Sequence, residues 1–229
     1  MKFSIVIPAY NESATLAEVL KSLHHDLKQV EESFEIIVVD NGSTDSTPVV
    51  LSALQKELPE LKTTRVFPNQ GYGNGILAGL KIAQGDIVGW MHADSQVTAQ
   101  DLITIYQKMN REGLDLCKAI RQTRDESFWR IVQSKIFNTV FRLLFHGRVH
   151  DINATPKLFR HTLYDRIGLT SKDWFIDPEV VIKAIAAHAT IGEVPVIWQS
   201  RKGGKSKVAL TTGLEFLKNM IRYKWNSHV

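Results

Sequence analysis

Runs of β-branched and other apolar residues alternate with amphipathic stretches along the first 95 residues, and this alternation constrains the fold more than any other feature. The apolar runs are short and continuous, as in strands buried on both faces, whereas the stretches between them repeat apolar residues at helical spacing. The predicted strands cover 2–8, 34–40, 63–67 and a run after Gly85, and the predicted helices cover 15–30, 46–58 and 76–83. This order predicts an α/β fold with a mostly parallel central sheet flanked by helices.

Side chains rich in oxygen follow three of the predicted strands. They lie at Tyr10–Glu12, Asp40–Ser43 and His92–Gln96. In doubly wound sheets, ligands bind beyond the carboxyl ends of the strands, so these loops are expected to meet at one edge. Each loop taken alone could owe its polar residues to the formation of a turn. Because three such loops are expected at the same edge, we predict a binding site there.

The segment after the fourth strand has residues typical of a divalent-cation site. If the strand continues through this segment, His92, Asp94 and Gln96 lie on one face, because strand side chains repeat every two residues. Carboxylate and amide oxygens suit Mg²⁺ or Mn²⁺, which proteins hold with one or two carboxylates plus substrate phosphates. The alternative is a strand end with a capping residue before a helix that begins near Thr98.

A glycine-rich turn, Gly71-Tyr72-Gly73-Asn74-Gly75, precedes the third predicted helix. Its spacing is narrower than that of a dinucleotide-binding fingerprint, which also opens the helix directly after the first strand of its unit. We therefore predict no dinucleotide site at this turn. The glycines are expected either to let a ligand approach the backbone closely or to form a flexible turn.

The composition is that of an ordinary soluble globular protein. The chain has 229 residues, of which 44% are hydrophobic and 23% charged, enough for one large domain or two small ones. Cys117 is the only cysteine, which excludes an intramolecular disulfide and a Cys-based zinc site. Pro8 interrupts the N-terminal apolar run, and no run of about 18 apolar residues occurs, so we expect a cytoplasmic protein without an export signal or a membrane span.

Charge is distributed unevenly along the chain. Residues 1–117 contain 9 Lys and Arg against 15 Asp and Glu, whereas residues 118–229 contain 19 against 9. The basic half predicts contact with a phosphate-bearing partner or an anionic membrane surface. No nucleic acid is expected, because the basic residues form no recognisable RNA-binding module. The alternative is a basic face that contacts only solvent.

Two basic segments stand out in the second half. Ser127–Phe145 places aromatic and aliphatic side chains on one helical face and Arg130, Lys135 and Arg142 elsewhere. This pattern suits either a membrane interface or a core-facing helix. In Arg201–Lys207, four cations surround two glycines, as expected for a loop that wraps a phosphate.

The rest of the second half is predicted to contain further strands and helices. Asp151–Phe159 is expected to be a loop or an edge strand, because Pro156 interrupts any regular element. The other predicted elements are a helix at 101–112, a strand at 114–120 that ends at Arg121, a helix from Asp177 to Ala187 and a strand at 190–198.

Four motifs occur in an order that resembles family 2 inverting glycosyltransferases of the GT-A (Rossmann-like) fold. They are IVIPAYNE, IVVDNGSTDST, GNGILAGLKIAQGDI and the Ala93-Asp94 cluster. Later elements are similar to the dolichol-phosphate mannosyltransferase and polyprenyl-phosphate glycosyltransferase branch, namely Arg121, SKIFN at 134–138, Asp151 with KLFR at 157–160, TIGEVPV at 190–196 and Arg201–Lys207. The resemblance implies a single domain, with a nucleotide-sugar-binding half at 1–117 and a basic acceptor-binding half at 118–229.

The resemblance also implies roles for individual residues. Donor binding is implied for Pro8, Tyr10, Glu12, Asp40, Asn41, Ala93 and Asp94, and binding of Mg²⁺ or Mn²⁺ for Asp94, Gln96 and His92. Acceptor and phosphate binding is implied for Arg121, Arg130, Lys157, Arg201, Ser206 and Lys207, and catalysis for Asp94, Arg121 and Asp151. The branch usually has Asp in place of His92 and Arg in place of Lys157, so a different metal preference, sugar or lipid is expected.

The activity implied by the resemblance is transfer of a sugar, with inversion, from a GDP- or UDP-linked donor to a polyprenyl phosphate of the dolichyl or undecaprenyl type. A saccharide hydroxyl is the alternative acceptor, and it would need Asp151, Asp177 or Glu179 to take its proton. A nucleotide-sugar-binding scaffold with weakened catalysis is a further alternative. Related enzymes without a membrane span work at the cytoplasmic face of a membrane, by peripheral docking or beside a membrane protein, and 127–145 is the expected contact.

Overall fold

The computed structural model describes residues 2–124, 128–145, 149–199, 219–220 and 223–224, without the side chains of 123–124, 128–131 and 133–135. The strands are β1 Phe3–Ala9, β2 Phe34–Asp40, β3 Leu61–Arg65, β4 Ile87–Trp90, β5 Leu116–Arg124, β6 Lys157–Arg160 and β7 Ile191–Trp198. The helices are α1 Leu16–Lys28, α2 Thr47–Glu57, α3 Tyr72–Leu80, α4 Ala99–Glu112, α5 Phe128–Phe145, α6 His161–Ile167 and α7 Ile176–Ala186. The alternation predicted for the first half is confirmed.

The strands form a seven-stranded sheet in the order β3-β2-β1-β4-β6-β5-β7. β1 pairs in parallel with β2 and β4, β2 with β3, and β5 with β7, whereas β6 is antiparallel to both of its neighbours. The register of β1 and β2 places Ala9 opposite Asp40, so the loops after both strands leave the same edge of the sheet. The predicted mostly parallel sheet is confirmed.

Apolar side chains cover both faces of the sheet. Along β1, Phe3, Ile5 and Ile7 belong to one buried cluster and Val6 to the other, as the two-residue repeat of a strand requires. Helices α1, α2 and α4 contribute to the first cluster, and α3, α5, α6 and α7 contribute to the second. Burial on both faces explains why the strand sequences are continuously apolar.

The segment predicted as a loop or an edge strand contains an interior strand. β6 lies between β4 and β5, so the prediction of an edge strand is wrong. Pro156 comes directly before β6, where its missing N–H costs no ladder hydrogen bond, and its carbonyl accepts a hydrogen bond from Ala119 N at 3.0 Å.

Because β6 joins β4 to β5, strands from both predicted halves share one sheet. The division into a donor half and an acceptor half stays a prediction about binding.

Glycine at the start of α3 lets a neighbouring loop pack against the helix backbone. A Cβ atom at Gly73 would lie 2.4 Å from the carbonyl oxygen of Ser171. Asn74 N donates to the carbonyl oxygen of Lys172 at 3.0 Å. The helix begins at Tyr72, earlier than predicted, because this packing offsets the low helix propensity of glycine. The close approach that we predicted for a ligand is made here by a loop of the same chain.

Glu179 ties this loop to α7. Its carboxylate accepts hydrogen bonds from Thr170 N at 3.0 Å, from Thr170 Oγ1 at 2.9 Å and from Ser171 N at 2.8 Å. It also forms an ion pair with Lys183 at 2.8 Å, one turn further along the helix. Burial opposes ionisation of this carboxyl, but the hydrogen bonds from Lys183 and Ser171 outweigh burial and lower the pKa of Glu179.

Helix α5 faces the core with three aromatic side chains. Phe137, Phe141 and Phe145 are buried, which confirms the core-facing alternative for this side of the helix. On the opposite side, Ile136 is 51% exposed and Leu143 72% exposed. Within the described ranges, no helix is both long enough and apolar enough to cross a membrane.

We predict that replacing Glu179 with Gln lowers the free energy of unfolding by about 1–3 kcal/mol at pH 7, because the buried donors lose a charged acceptor. A carboxyl with a lowered folded-state pKa stabilises the fold above its unfolded value and loses this effect as the pH falls. The difference between wild type and Glu179→Gln should therefore narrow as the pH falls below 4.5, the ordinary glutamate value.

Urea unfolding at pH 7 and at pH 4 measures this effect. The matched control is Glu57→Gln, which removes the carboxylate of an exposed ion pair with Lys21 and should change stability little. Equal stability of wild type and Glu179→Gln at pH 7 would contradict the proposal that Glu179 stabilises the fold by linking this loop to α7.

Candidate active site

Asn11 makes hydrogen bonds between the loops after β1 and β2. Asn11, with φ +55°, donates from its backbone N to Ser43 Oγ at 3.0 Å. Its side-chain oxygen accepts from Thr44 N at 2.8 Å. The two oxygen-rich loops predicted to share an edge therefore lie side by side. Asn11 lies in a loop that was predicted from the sequence, but no separate role was predicted for it.

Asp40 ends β2 and is buried between two partners. Its Oδ1 accepts from Ser43 N at 2.8 Å, and its Oδ2 lies 3.1 Å from Nε of Arg65 at the end of β3. Arg65 also donates to Ser43 O at 3.3 Å, and its guanidinium lies 5.1 Å from the centre of the Phe67 ring. Arg65 was not predicted, because it becomes a neighbour of Asp40 only through the pairing of β2 with β3.

Asn41 connects the β2 loop to the start of α3. Its backbone N donates to Ala9 O at 2.8 Å, and its Nδ2 donates to Gly71 O at 2.8 Å. Its Oδ1 is buried and has no hydrogen-bond partner among the described residues. A buried acceptor without a partner is costly, which makes Asn41 a candidate for contact with a bound ligand.

The other residues predicted for donor binding line the same edge. Pro8 is the next-to-last residue of β1, and Tyr10 follows the strand, half-buried. Glu12 donates from its backbone N to Thr47 Oγ1 at 3.0 Å. Ala93 is buried, and its carbonyl accepts a hydrogen bond from Thr15 Oγ1 at 3.4 Å. The edge thus brings the predicted donor residues together, while their role in binding stays a prediction.

We predicted that the three candidate metal ligands would alternate along a strand, and this prediction is wrong. β4 ends at Trp90, where its pairing with β1 stops, and the residues that follow form a loop. His92 Nδ1 lies 3.9 Å from Asp94 Oδ2. The side chain of Gln96 is turned toward the end of β7, where its Nε2 donates to Gln199 O at 3.2 Å.

The side chains at this loop fit a divalent cation that is coordinated partly by the protein and partly by a bound ligand. The Asp94 carboxylate is buried, and an imidazole nitrogen of His92 faces it. In the described part of the chain, no three His, Cys, Asp or Glu side chains are grouped as a metal site. Mg²⁺ and Mn²⁺ sites with one or two protein ligands are completed by substrate phosphates and water. His92 and Asp94 thus fit a cation held jointly with a diphosphate.

His92 belongs to a group of three stacked rings. Tyr72 lies 4.1 Å from Trp174 and 5.4 Å from His92 between ring centres. Tyr72 Oη is 3.2 Å from His92 Nε2. Burial, followed by the carboxylates of Asp177 and Asp94, raises the pKa of Tyr72 well above its ordinary value. Tyr72 and Trp174 received no role in sequence analysis, since a lone aromatic residue in a loop indicates nothing specific.

A buried ion pair lies behind these rings. Lys157 Nζ, at the start of β6, is 2.5 Å from Asp177 Oδ1, and Trp90 Nε1 donates to the same oxygen at 3.1 Å. Burial lowers the pKa of Lys157 to about 8 although Asp177 opposes the shift. The Lys157 side chain is fully buried, so it neutralises Asp177 inside the protein. Its predicted contact with an acceptor phosphate stays a prediction.

Arg121 and Asp151 form a bidentate pair at the end of β5. Arg121 Nε donates to Asp151 Oδ2 at 2.7 Å and Nη2 to Oδ1 at 2.6 Å, and the backbone N of Arg121 reaches Oδ2 at 3.1 Å. The guanidinium lies 5.1 Å from the centre of the Trp198 ring on β7. Two residues predicted as catalytic are therefore in contact, with a strand backbone and an aromatic ring fixing their position.

Lys118 supports the turn that carries Asp151. Its ammonium is fully buried, donates to the carbonyl oxygens of His150 at 2.6 Å and Asp151 at 3.1 Å, and lies 3.0 Å from Glu193 Oε1. Burial lowers the pKa of Lys118, against the opposing effect of Glu193. The role of Lys118 was not predicted, because the sequence of the strand alone does not distinguish a buried lysine from an exposed one.

Four of the residues predicted for phosphate binding cannot be placed in this site. Arg130 lies in α5, but its side chain is outside the described part. Arg201, Ser206 and Lys207 also lie outside the described residues. Their roles stay predictions.

Comparison with known proteins identifies the family. Residues 4–168 match the family described as Glycosyl transferase family 2. The undecaprenyl-phosphate 4-deoxy-4-formamido-L-arabinose transferase of Pseudomonas syringae pv. syringae (strain B728a) is 30% identical over 207 residues, which cover 89% of this chain and 60% of the relative. The protein of the same name from Sodalis glossinidius (strain morsitans) is 27% identical over 223 residues, covering 96% and 67%. The chain thus spans about three fifths to two thirds of the length of these relatives.

Solved structures agree in fold. Glucosyl-3-phosphoglycerate synthase from Mycobacterium tuberculosis, in complex with Mn²⁺, UDP and glucosyl-3-phosphoglycerate, has a TM-score of 0.73 at 20% identity, covering 97% of this chain and 77% of that one. S. aureus TarS 1–349 in complex with UDP-GlcNAc has a TM-score of 0.66 at 20% identity, covering 96% and 65%. The predicted GT-A fold is confirmed, and the match over residues 4–168 shows that this chain belongs to glycosyl transferase family 2.

Proposed function

We propose that this chain is an inverting glycosyltransferase that moves a sugar from a UDP-linked donor to a polyprenyl phosphate with the help of a divalent cation. The curated relatives are named for transfer to undecaprenyl phosphate, and structures of the same fold carry UDP and Mn²⁺. The main support for a phosphate acceptor is that all three candidate general bases form ion pairs with cationic side chains.

The donor would lie along the carboxyl edge of β1, β2 and β4. The end of β2 at Asp40 and the loop that follows it are fixed by Asn11 and Arg65, so their polar groups are held in place before a ligand arrives. Such preorganisation reduces the ordering cost of binding. The buried Asn41 Oδ1 supplies an acceptor for a donor N–H or O–H. These features support binding of the nucleoside of the donor at this edge.

His92 and Asp94 would hold the divalent cation beside the donor diphosphate. When bound, the cation would neutralise the negative charge that develops on the departing nucleoside diphosphate. The two side chains supply one carboxylate and one imidazole, so the site itself carries a single formal negative charge. A nitrogen ligand favours Mn²⁺ more than it favours Mg²⁺.

The candidate general bases are all engaged by cations. Asp151 is held by Arg121 at 2.6 Å, Asp177 by Lys157 at 2.5 Å, and Glu179 by Lys183 at 2.8 Å. A carboxylate stabilised by an ion pair is a weak proton acceptor. A saccharide hydroxyl needs a base to take its proton, whereas a phosphate oxygen is already anionic near neutral pH. The pairing of these carboxylates therefore supports a phosphate acceptor.

Arg121 would bind the acceptor phosphate from a fixed position. Its bidentate pair with Asp151 and its contact with Trp198 restrict the guanidinium, and its positive charge is suited to a phosphate monoester. In the proposed reaction, a phosphate oxygen of the acceptor attacks the anomeric carbon as the bond to the UDP oxygen breaks. Attack opposite the leaving group inverts the anomeric configuration, and UDP leaves with the bonding electron pair.

A polyprenyl acceptor would bring the protein to a membrane surface. The outer side of α5 presents Ile136 and Leu143, both more than half exposed, beside the exposed cation of Arg142. Apolar and basic side chains together suit the headgroup region of an anionic bilayer. These residues support α5 as the peripheral contact that sequence analysis predicted.

We predict that Asp94→Asn abolishes the metal dependence of UDP binding, because the buried carboxylate supplies the charge that attracts the cation. Isothermal titration of UDP with Mn²⁺ and with EDTA measures this dependence. Asp86→Asn is the matched control, since Asp86 is an exposed residue at the opposite end of β4. An Asp94→Asn protein that still binds UDP more tightly with Mn²⁺ than with EDTA would refute the assignment.

We further predict that Asp151→Asn raises the KM for undecaprenyl phosphate while kcat falls by less than about tenfold, because the substitution loosens Arg121 without removing a proton acceptor. Steady-state kinetics with a UDP-sugar donor gives both constants. Asp165→Asn removes an exposed carboxylate on α6 and should leave both constants unchanged. A loss of about 100-fold or more in kcat, with KM unchanged, would instead identify Asp151 as a general base.

A further inference from the structure

We propose that Glu193 is a positioning residue for the acceptor. It holds the turn at 150–154, here called the Asp151 turn, and through this turn it fixes Arg121 for the acceptor phosphate. The inference rests on the proposed function, because it assigns the phosphate of the acceptor to Arg121. Glu193 lies on β7, at one end of the strand order, and would touch neither the acceptor nor the donor.

The sheet places Lys118 between a second lysine and Glu193. In the strand register, Lys118 of β5 lies opposite Lys157 of β6 and opposite Glu193 of β7. Like charges on neighbouring strands repel each other, and both lysine side chains are fully buried. Each lysine therefore needs a carboxylate of its own. Lys157 pairs with Asp177 at 2.5 Å, whereas Lys118 Nζ lies 3.0 Å from Oε1 of Glu193.

Glu193 and Lys118 together bind the backbone of the Asp151 turn. Glu193 Oε1 accepts a hydrogen bond from His150 N at 2.8 Å, and Oε2 lies 2.9 Å from His150 Nδ1. Lys118 Nζ donates to the carbonyl oxygens of His150 at 2.6 Å and of Asp151 at 3.1 Å. The carboxylate thus binds the N–H at the start of the turn, and its ammonium partner binds two carbonyls of the same turn.

The backbone of Asp151 needs such support. Its φ is +43°, a left-handed conformation that is uncommon for residues other than glycine and persists where surrounding contacts fix it. In this conformation, the Asp151 carboxylate accepts hydrogen bonds from Arg121 Nε at 2.7 Å and from Nη2 at 2.6 Å. If the turn relaxed, the carboxylate would move and the guanidinium would lose its fixed partner.

The affinity for the acceptor is the property that depends on this arrangement. A cation already held in its binding position binds a phosphate more tightly, because ordering it during binding costs free energy. The loops proposed to bind the donor follow β1, β2 and β4, whereas Glu193 acts on the turn before β6. Loss of Glu193 should therefore weaken binding of the acceptor and leave binding of UDP unchanged, whereas a general loss of folding would weaken both.

Steady-state kinetics of the full chain with a UDP-sugar, Mn²⁺ and undecaprenyl phosphate measures this effect. We expect Glu193→Gln to raise the KM for undecaprenyl phosphate on the order of tenfold, to change kcat by less than about threefold, and to leave UDP affinity unchanged in isothermal titration. The matched control is Glu112→Gln, which removes an exposed carboxylate paired with Lys108 and should leave all three values unchanged.

A double variant separates positioning from the cost of an unpaired buried charge. Glu193→Gln alone leaves the Lys118 ammonium without its carboxylate, which can prevent folding. Lys118→Met combined with Glu193→Gln removes both charges and preserves the length of both side chains, so the fold should be retained. The ammonium contacts to the Asp151 turn are still lost, so the KM for undecaprenyl phosphate should stay raised. A double variant with the wild-type KM would overturn the inference.

Proton exchange at Nε of Arg121 tests the position of the guanidinium without turnover. Its nitrogen-15 NMR signal is identified by its loss in Arg121→Lys. We expect this proton to exchange faster, by about tenfold, in Glu193→Gln and in the double variant, and at the wild-type rate in Glu112→Gln.

Unchanged exchange at Arg121 in both Glu193 variants would overturn the inference, as would an unchanged KM or a parallel loss of UDP affinity. A different result bears on the proposed function. If the wild type does not use undecaprenyl phosphate, the proposed acceptor is overturned, and the exchange rate at Arg121 alone then decides whether Glu193 positions the guanidinium.

Discussion

The buried pair of Lys157 and Asp177 holds together the three elements that meet behind the candidate site. Lys157 comes from β6, Asp177 from α7, and Trp90, at the end of β4, donates to the same carboxylate oxygen. Burying two charges is costly, and an ion pair offsets that cost only when its remaining hydrogen bonds are made. The indole N–H makes one of them. The antiparallel strand β6 is therefore fixed next to the edge proposed to bind the donor.

Contacts extend from this pair toward the proposed cation site. After burial, the charge of Asp177 is the next cause that raises the pKa of Tyr72; Tyr72 contacts His92, and His92 faces Asp94. A second buried lysine, Lys118, supports the turn from which Asp151 holds Arg121. In both places a lysine inside the protein orders the residues around it, so the basic character of the second half is partly internal. Net charge alone predicted an anion-binding surface and did not reveal this role.

Sequence patterns predicted the parts of the fold that depend on local periodicity. The parallel strands of the first half and the oxygen-rich loops at their carboxyl ends follow from continuous apolar runs and turn residues. The interior position of β6 did not follow, because strand order depends on contacts between distant segments. The same limit applies to Arg65, Tyr72 and Lys118, whose partners are remote in sequence. The expected alternation from His92 to Gln96 failed because β4 ends at Trp90.

The central claim, that this chain transfers a sugar from a UDP-linked donor to a polyprenyl phosphate with inversion, is tested most directly by the product. The full chain is incubated with a panel of UDP-sugars, Mn²⁺ and either undecaprenyl phosphate or a saccharide acceptor. Mass spectrometry then identifies the product, and NMR gives its anomeric configuration. We expect a metal-dependent sugar-phosphate-lipid with inverted configuration. Transfer to the saccharide hydroxyl alone, retention of configuration, or no turnover with any donor would contradict the account.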